Sequence, residues 1–330
     1  MAQFDGKHLK TIGVYTSGGD APGMNAAIRA VTRSAIHHGL RVKAVLQGYP
    51  GMVAGETREL DLNSVANIIQ RGGTILKTGR LPEFVNAEVR ARAASAVRLA
   101  GIDALVCIGG NGSFAAAHLL FTEHHLPIVG VPATIDNDIY GTDTTIGFDS
   151  AVNIAVEAID RIRDTAASHD RLFIVEVMGR DSGFIAVDVG LACGAEEVFF
   201  PENPITIEAA IEHIKRGISR GKRSSILVAA EGAKPGRAYD LADQIRRRAG
   251  FEAKVCILGH VQRGGAPTAG DRILASRLGA AAVECLRQGR CDLMLGLQST
   301  LVTPVELSAL TQNKKTVRRE LIRLAQVLSI

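Results

Sequence analysis

The chain has 330 residues, of which 46% are hydrophobic and 22% charged, and its formal net charge is +4 at pH 7. At roughly 150 residues per domain, this length predicts about two packed domains. The basic residues are scattered among acids, which argues against nucleic acid as a partner. The apolar runs are about one strand long and fall short of the ~20 residues of a membrane span.

The first ten residues, MAQFDGKHLK, contain no apolar stretch that would act as a secretory signal. We therefore expect a cytoplasmic protein without a membrane segment.

Short apolar segments alternate with helical patterns along the chain. The first strand is predicted at IGVYT (12–16), and a Gly-rich turn connects it to a helical pattern from about Met24 to His38. Six later segments read as strands: RVKAVLQG (41–48), DALVCIGG (103–110), LPIVGVP (126–132), RLFIVEVMG (171–179), SSILVAAEG (224–232) and AKVCILGH (253–260). Apolar strands between amphipathic helices, such as 151–165, predict parallel sheets covered on both faces, and the fold class is therefore α/β.

Glycine-rich turns follow two of these strands. SGGDAPGMN (17–25) comes after the first strand and GGNGS (109–113) after the third. In open parallel sheets, ligands bind outside the carboxyl ends of the strands, where helix N-termini present N–H groups to phosphates. Neither turn has the spacing of a dinucleotide fingerprint or a P-loop.

Acidic and basic side chains stand at the remaining strand ends. The loop PATIDND (132–138) offers Thr134, Asp136 and Asp138 at a strand end, although an ordinary solvated turn would also use Asp and Asn. Later strand ends add Arg180, Glu231, His260 and Arg263, and Arg171 stands just before its strand. Two acids, several cations and two Gly-rich turns at strand ends suit phosphoryl transfer, in which the protein positions the reactants and neutralises charge. Asp136 is the candidate base for an attacking hydroxyl.

Several separated motifs resemble those of 6-phosphofructokinases. They are TSGGDAPGMNAAIR (16–29), GGT (72–74), PATIDND (132–138), TIGFDSA (145–151), VEVMGRDSG (175–183), LGHVQRGG (258–265) and DRILASRLG (271–279). The resemblance implies two Rossmann-like three-layer domains with mainly parallel sheets, a nucleotide-binding domain at 1–146 plus 261–311 and a sugar-phosphate-binding domain at 147–260 plus 312–330. It also implies a homotetramer with active sites between subunits, and ATP-dependent phosphorylation of fructose 6-phosphate to fructose 1,6-bisphosphate in glycolysis.

The resemblance also implies a role for each matching position. Asp136 would be the base, with Thr134 and Asp138 beside it, and Arg80 and Arg180 would steady the transferring phosphoryl. The ATP positions, with Mg²⁺ at Asn111, would be Gly19, Arg80, Leu81, Gly110, Asn111, Gly112 and Ser113. The fructose 6-phosphate positions would be Thr134, Ile135, Asp136, Met178, Gly179, Arg180, Glu231, Lys254, His260, Val261, Gln262 and Arg263, with Arg171 from a neighbouring subunit. An ADP or phosphoenolpyruvate effector would bind Arg29, Arg33, Arg163, Glu196 and Lys222.

The chain departs from the family pattern at four positions. Asn111 stands where the family usually has the aspartate near Mg²⁺. This change is expected to weaken Mg²⁺ binding, because Mg²⁺ favours anionic oxygen ligands. Lys254 replaces an arginine and loses bidentate geometry towards the sugar phosphate. Leu81 replaces an aromatic residue, and Leu62 replaces one arginine of the effector site.

Two alternatives to the ATP-dependent enzyme stay open. A pyrophosphate-dependent enzyme typically has an acidic side chain at position 112 and a lysine at position 133, where this chain has Gly112 and Ala133. A catalytically weakened, ligand-binding paralogue would account for Asn111 and Lys254. Turnover with ATP or pyrophosphate separates these alternatives.

Overall fold

The computed structural model describes residues 2–167, 172–202, 205–222, 224–232 and 234–328. The strands in these ranges are β1 (Ala2–Gln3), β2 (Thr11–Thr16), β3 (Arg41–Val45), β4 (Thr57–Leu60), β5 (Ala104–Gly109), β6 (Ile128–Pro132), β7 (Leu172–Val177), β8 (Glu197–Phe199), β9 (Ser225–Ala230), β10 (Ala253–Ile257), β11 (Arg290–Cys291), β12 (Leu293–Gln298) and β13 (Leu301–Glu306). The α-helices are α1 (Met24–His37), α2 (Tyr49–Ala54), α3 (Ala87–Leu99), α4 (Asn111–His124), α5 (Phe148–Ala167), α6 (Phe184–Cys193), α7 (Ile207–Ser219), α8 (Arg237–Ala249), α9 (Ala269–Arg287), α10 (Leu307–Gln312) and α11 (Arg319–Leu328).

The chain divides into two compact units, and each is built from two separate stretches. Unit 1 comprises Met1–Asp149 and Arg263–Lys315, and unit 2 comprises Ser150–Gln262 and Thr316–Ile330. The assignment of the nucleotide to one unit and of the sugar phosphate to the other stays a prediction.

Unit 1 contains a seven-stranded sheet in the order β13-β12-β6-β5-β2-β3-β4. The inner pairs are parallel, and the two edge pairs, β12 with β13 and β3 with β4, are antiparallel. The strand order reverses at β2, because β3 lies on one side of it and β5 on the other. Ligands of open α/β sheets bind in the crevice outside the strand ends at such a switch point.

Unit 2 contains a four-stranded, wholly parallel sheet in the order β10-β7-β9-β8. Here β9 and β10 lie on opposite sides of β7. The loops that follow β7 and β10 therefore emerge side by side at the carboxyl end of this sheet.

Burial explains why the central strands formed as predicted. Every residue of β2, β5, β6 and β9 is buried, and strands covered on both faces read as continuous apolar runs. All seven strands predicted from the sequence are present within a few residues of their expected bounds, and the helical pattern at 24–38 corresponds to α1. The α/β fold class is confirmed.

Among the described residues, six strands were not anticipated, and all lie at or next to a sheet edge: β1, β4, β8, β11, β12 and β13. The strand β4 has two exposed residues among four, β8 is three residues long, and β13 contains Pro304. Polar, short or Pro-containing strands lack the apolar run that signals a central strand. Across the described ranges, no helix combines the length and apolar character needed to cross a bilayer.

Candidate active site

The carboxyl ends of β2 and β5 meet at the switch point of unit 1. Thr16 is in register with Ile108, and the Ser17 amide donates to the Ile108 carbonyl over 3.0 Å. A Cβ on Gly109 would lie 2.7 Å from both the Ser17 carbonyl oxygen and Ser113 Oγ. Only glycine fits between the two turns, so the predicted Gly-rich turns at 17–25 and 109–113 do lie together.

The turn after β2 is held by a residue from far along the chain. Gly18 has a φ of +90°, and its carbonyl accepts a hydrogen bond from Thr78 Oγ1 over 2.9 Å. Arg263 Nη1 donates to the Asp20 carbonyl over 3.0 Å, and a Cβ on Gly19 would lie 2.8 Å from the same nitrogen. The structure thus places Arg263, assigned from the sequence to the sugar phosphate, against the turn assigned to ATP.

The Asp20 carboxylate is a feature that the sequence reasoning missed. Burial raises its pKa, while the Thr74 amide, which donates to Oδ1 over 3.2 Å, opposes that shift together with the Arg263 charge. The signal in the sequence was an acid directly after the glycine pair of SGGD (17–20), together with a second glycine pair in RGGT (71–74).

The turn after β5 is the N-terminus of helix α4. Gly110 precedes the helix, and Asn111, Gly112 and Ser113 form its first turn. Such a terminus carries partial positive charge and unpaired N–H groups, which suits phosphate oxygens. Ser113 is buried, and a Cβ on Gly112 would meet no atom within 4 Å. There is therefore open space beside Gly112.

The loop after β6 carries the candidate base in a defined conformation. The Thr134 amide donates to the Ile146 carbonyl over 3.0 Å, and Thr145 Oγ1 donates to the Thr134 carbonyl over 2.6 Å. The Asp136 amide in turn donates to Thr134 Oγ1 over 3.2 Å, and Asp136 is only 5% exposed. Ile135 is fully buried. Thr134 therefore acts on the loop as a backbone brace.

Two bonds attach this loop to its surroundings. Lys315 Nζ donates to Asn137 Oδ1 over 2.7 Å, and Asn137 has a φ of +52°. Asn111 Nδ2 donates to the Asp138 carbonyl over 3.4 Å. The turn at 110–113 and the acidic loop at 132–138 are consequently in direct contact within unit 1.

Arg80 and Leu81 lie on the segment that follows Gly79. Arg80 is exposed, whereas Leu81 is partly buried and packs against the core that includes Tyr49 and Phe84. Leu81 is therefore anchored in the hydrophobic core, and Arg80 extends towards solvent.

In unit 2, the turn after β7 has an unusual backbone. Gly179 and Arg180 have φ values of +140° and +52°. Ser182 Oγ donates to the Gly179 carbonyl over 2.8 Å, and the Arg180 amide donates to Glu231 Oε1 over 3.2 Å. Non-glycine residues with positive φ are strained and cluster at functional sites. The Arg180 side chain is exposed, and Met178 is buried.

Two glutamates shape the neighbouring strand ends of unit 2. Glu231 follows β9 and is only 8% exposed. Glu176, a residue that the sequence reasoning missed, accepts the amides of Gly236 and Ala238 over 2.8 Å each and so holds the start of α8. A lone acid inside the apolar strand LFIVEV was the signal.

Gln262 is fully buried, and both ends of its amide contact backbone. Its Oε1 accepts the Met178 amide over 2.8 Å, and its Nε2 donates to the Ala151 carbonyl over 3.4 Å. Gln262 therefore connects the loops after β7 and β10. His260, Val261 and Lys254 are exposed, whereas Arg171 lies outside the described residues.

The predicted effector residues fall in both units. Arg29 and Arg33 belong to α1 in unit 1, whereas Glu196 and Lys222 form an ion pair in unit 2 and Arg163 Nη2 donates to the Cys193 carbonyl. The Glu196–Lys222 pair borders a cavity of about 300 Å³. Its lining is Glu196, His213, Arg216, Gly217, Arg220, Lys222 and Gln326. Three cationic side chains around one carboxylate favour an anionic ligand.

The described residues contain no group of three or more His, Cys, Asp or Glu side chains placed to hold a metal ion. A magnesium ion that arrives on nucleotide phosphates needs only one or two protein ligands. The oxygen-bearing side chains of Asn111, Asp136 and Asp138 stand on two contacting segments and fit such a requirement.

Comparison with known proteins adds the family. The phosphofructokinase family model matches residues 11–286. Over 322 residues, the chain is 57% identical to the "ATP-dependent 6-phosphofructokinase 1" of Thermus thermophilus, covering 98% of this chain and 100% of that protein. The "ATP-dependent 6-phosphofructokinase" of Halalkalibacterium halodurans is 50% identical with the same coverage.

Solved structures agree on the fold. The phosphofructokinase of Saccharomyces cerevisiae superposes with a TM-score of 0.86 at 38% identity, and the match covers 92% of this chain but 45% of the yeast chain. A pyrophosphate-dependent phosphofructokinase from Marinobacter aquaeolei gives a TM-score of 0.85 at 24% identity, with 94% of this chain and 86% of that chain covered. At that identity, the second likeness concerns the fold alone.

Proposed function

The chain belongs to the phosphofructokinase family, and we propose that it transfers the terminal phosphoryl group of ATP to the 1-hydroxyl of fructose 6-phosphate. The observation that carries this proposal is the contact in unit 1 between a helix N-terminus suited to phosphates and a loop that holds a buried aspartate. Phosphoryl transfer requires both parts, because the protein must position the phosphates and accept a proton from the attacking hydroxyl.

Asp136 is the proposed general base. Thr134 braces its backbone, and Asp138 stands in the same loop beside it. Only the carboxylate form accepts a proton, and a loop tied at Thr134, Asn137 and Asp138 keeps that carboxylate in one place. The product would be fructose 1,6-bisphosphate, which enters glycolysis.

The phosphates of ATP are assigned to the two turns of unit 1. Gly19, Gly110, Gly112 and Ser113 offer backbone N–H groups there, and Arg80 and Leu81 are assigned to the remainder of the nucleotide. Arg80 and Arg180 are proposed to neutralise the moving phosphoryl group. Asn111 would hold Mg²⁺, directly or through water, and the ion when bound supplies positive charge to the phosphates.

The sugar phosphate is assigned to loops of unit 2 and to Arg263. Glu231 is proposed to accept hydrogen bonds from sugar hydroxyls. The remaining proposed positions are Met178, Gly179, Lys254, His260, Val261 and Arg171. The buried amide of Gln262 supports an indirect role, in which it holds Met178 in place instead of contacting the sugar.

ATP is favoured over pyrophosphate as donor by the space beside Gly112. A carboxylate at this position would stand near the α-phosphate of a nucleotide and repel it, and glycine leaves the position open. Position 133, where a pyrophosphate-dependent enzyme typically has a lysine, is the small and buried Ala133. The names of the relatives at 50–57% identity support the same donor.

Steady-state turnover of the purified chain with fructose 6-phosphate tests the proposal. We expect activity with ATP and Mg²⁺ that far exceeds activity with pyrophosphate, and loss of that activity in Asp136→Asn. Preference for pyrophosphate would favour the second donor. Ligand binding without turnover with either donor would favour the weakened paralogue, for which Asn111 is the specific observation.

We also propose control by an effector and assembly into an oligomer. The cationic cavity beside Glu196 and Lys222 supports binding of an anionic effector such as ADP or phosphoenolpyruvate. Leu62, which is 47% exposed, stands for one missing cation, and Leu62→Arg is expected to enlarge the effector-induced shift of the fructose 6-phosphate saturation curve. We also propose that the protein is a cytoplasmic homotetramer. Sedimentation of the purified chain tests the number of subunits.

A further inference from the structure

Two tyrosine hydroxyls meet in the core of unit 1, directly behind the turn assigned to ATP. Tyr15 lies on β2 and is fully buried, and Tyr49 begins α2 and is 5% exposed. Their hydroxyl oxygens are 3.1 Å apart, and their rings stand edge to face with centroids 5.4 Å apart. The Cys107 thiol of β5 interacts with both hydroxyls.

The direction of the hydrogen bonds follows from the number of protons. The Tyr49 hydroxyl donates to the Ser113 carbonyl over 2.7 Å. A phenol has one proton, so the Tyr49 oxygen accepts from Tyr15. Burial raises the pKa of both tyrosines well above the usual value, and both remain donors at neutral pH. The result is a directed chain from Tyr15 through Tyr49 to Ser113.

The acceptor lies at a functionally important point. Ser113 is the third residue of α4, directly after Asn111 and Gly112. Holding its carbonyl fixes the orientation of the first helical turn, whose N–H groups are assigned to the nucleotide phosphates. The Tyr49 ring also packs on Phe84 with centroids 4.2 Å apart, close behind the Arg80–Leu81 segment.

Core packing alone does not require these hydroxyls. A phenylalanine at position 15 would fill almost the same volume, and a buried polar group is costly unless it is hydrogen-bonded. The hydrogen bonds of this network fix where the Tyr49 hydroxyl lies, and that hydroxyl donates to a backbone carbonyl of the 110–113 turn assigned to ATP.

We propose that Tyr15 is a positioning residue for nucleotide binding, which acts through Tyr49 on the Ser113 carbonyl at the start of α4. The inference rests on the proposed function, since it takes the 110–113 turn as the site of the ATP phosphates. Tyr15 itself touches no substrate, and its effect passes entirely through the Tyr49 hydroxyl.

A double-mutant cycle on the full chain tests this inference. The variants are Tyr15→Phe, Tyr49→Phe and the double substitution, and the probe is a non-hydrolysable ATP analogue with an imido bridge, titrated with Mg²⁺ by calorimetry. We expect Tyr49→Phe to weaken binding roughly three- to tenfold and Tyr15→Phe about two- to fivefold, as the loss of one hydrogen bond implies. In the Tyr49→Phe background, Tyr15→Phe should change nothing further.

Steady-state kinetics supply a second readout. The KM for ATP should rise in both single variants, while the KM for fructose 6-phosphate stays at its natural value. Tyr239→Phe, at an exposed position in unit 2, is the matched control and should leave both constants unchanged.

Each other outcome overturns the inference or the proposed function. Unchanged analogue binding in Tyr15→Phe, equal effects on both substrates, or additive effects in the cycle would refute the positioning role. If Tyr15→Phe does not fold, Tyr15→Met replaces it, and failure of both to fold would show that Tyr15 serves stability. If the natural chain binds no analogue at all, the proposed function falls instead.

Discussion

The side-chain amide of Asn111 donates a hydrogen bond to the backbone carbonyl of Asp138 over 3.4 Å. A carboxylate could not donate this bond, and at position 111 it would face a carbonyl oxygen. It would, however, bring a negative charge to the helix N-terminus assigned to the phosphates. Asparagine thus favours the contact between the two segments, and aspartate would favour the metal.

Asn111→Asp is expected to lower the Mg²⁺ concentration needed for half-maximal activity and to raise kcat at saturating ATP. A unit charge near the ion contributes on the order of 1 kcal/mol or more even when screened, and each ~1.4 kcal/mol is tenfold. Mg²⁺ titrations of both proteins at fixed free ATP measure the effect, and Mg²⁺-dependent binding of the imido analogue gives a readout without turnover.

Asn111→Ala is the control, since it removes the amide without adding charge. Coincident Mg²⁺ curves for Asn111→Asp and the natural chain would leave Asn111 with the loop contact alone. A lower kcat in both variants would show that this contact outweighs the metal.

Asp136→Asn is expected to lower kcat by roughly 10²–10⁴-fold with little change in KM, because a general base acts mainly in the transition state. The amide keeps the shape of the carboxylate, and the bond from the backbone amide to Thr134 Oγ1 does not depend on the side chain. Full kinetic analysis with both substrates measures this. A kcat near that of the natural chain would remove Asp136 from the role of base.

Arg263→Ala is expected to raise the KM for fructose 6-phosphate on the order of tenfold or more, as expected from losing hydrogen bonds made by a charged group. Gly19→Ala should produce the same substrate pattern on a smaller scale, because its Cβ would lie 2.8 Å from Arg263 Nη1 and displace the guanidinium. Arg246→Ala is the control, since it removes an exposed guanidinium of α8 that lies outside the proposed sites. Should Gly19→Ala affect ATP alone, the contact between the turn and Arg263 would carry no part of sugar binding.

Glu123→Gln is expected to lower the free energy of unfolding at neutral pH by about 1–3 kcal/mol. Arg90 on α3 donates to both Glu123 carboxylate oxygens over 2.6 Å, and the Arg90 side chain is 7% exposed. The bond lowers the pKa of Glu123 below its usual 4.5. The stabilisation is therefore complete above pH 4.5 and is lost as the pH falls through the lowered pKa.

Denaturant unfolding of Glu123→Gln and the natural chain from pH 7 to pH 3 measures this, with Glu88→Gln, at an exposed position of α3, as the control. The difference in free energy of unfolding between the two proteins should become smaller below pH 4.5. A difference that is constant with pH would mean that the loss of stability in Glu123→Gln is not electrostatic.

The central strands and the Gly-rich turns were predictable because both leave local signals. A buried strand such as ALVCIG reads as an apolar run, and Gly18 and Gly109 stand where a conformation or a close approach excludes other residues. The edge strand β4 gave no such signal, since TREL is mostly polar.

Contacts between distant residues were beyond the reach of sequence reasoning. Arg263 and Asp20 are 243 positions apart, and no local pattern joins them. Gln262 was expected to bind the sugar phosphate because the motif LGHVQRGG resembles that of the family, yet its amide is buried between two backbone partners. Burial of a polar side chain depends on tertiary packing, which local composition does not encode.

The interruption of unit 1 by unit 2 also orders the events of synthesis. The sheet of unit 2 uses strands between Leu172 and Ile257, so its pairing partners are all present once that stretch has left the ribosome. The sheet of unit 1 must wait longer, because β6 pairs with β12 through Val129 and Leu293. Until β12 arrives, one edge of β6 presents unpaired N–H and C=O groups, a hazard for association between nascent chains. The sheet of unit 2 can thus form before the sheet of unit 1, although unit 2 is completed only when its last stretch, Thr316–Ile330, has been made.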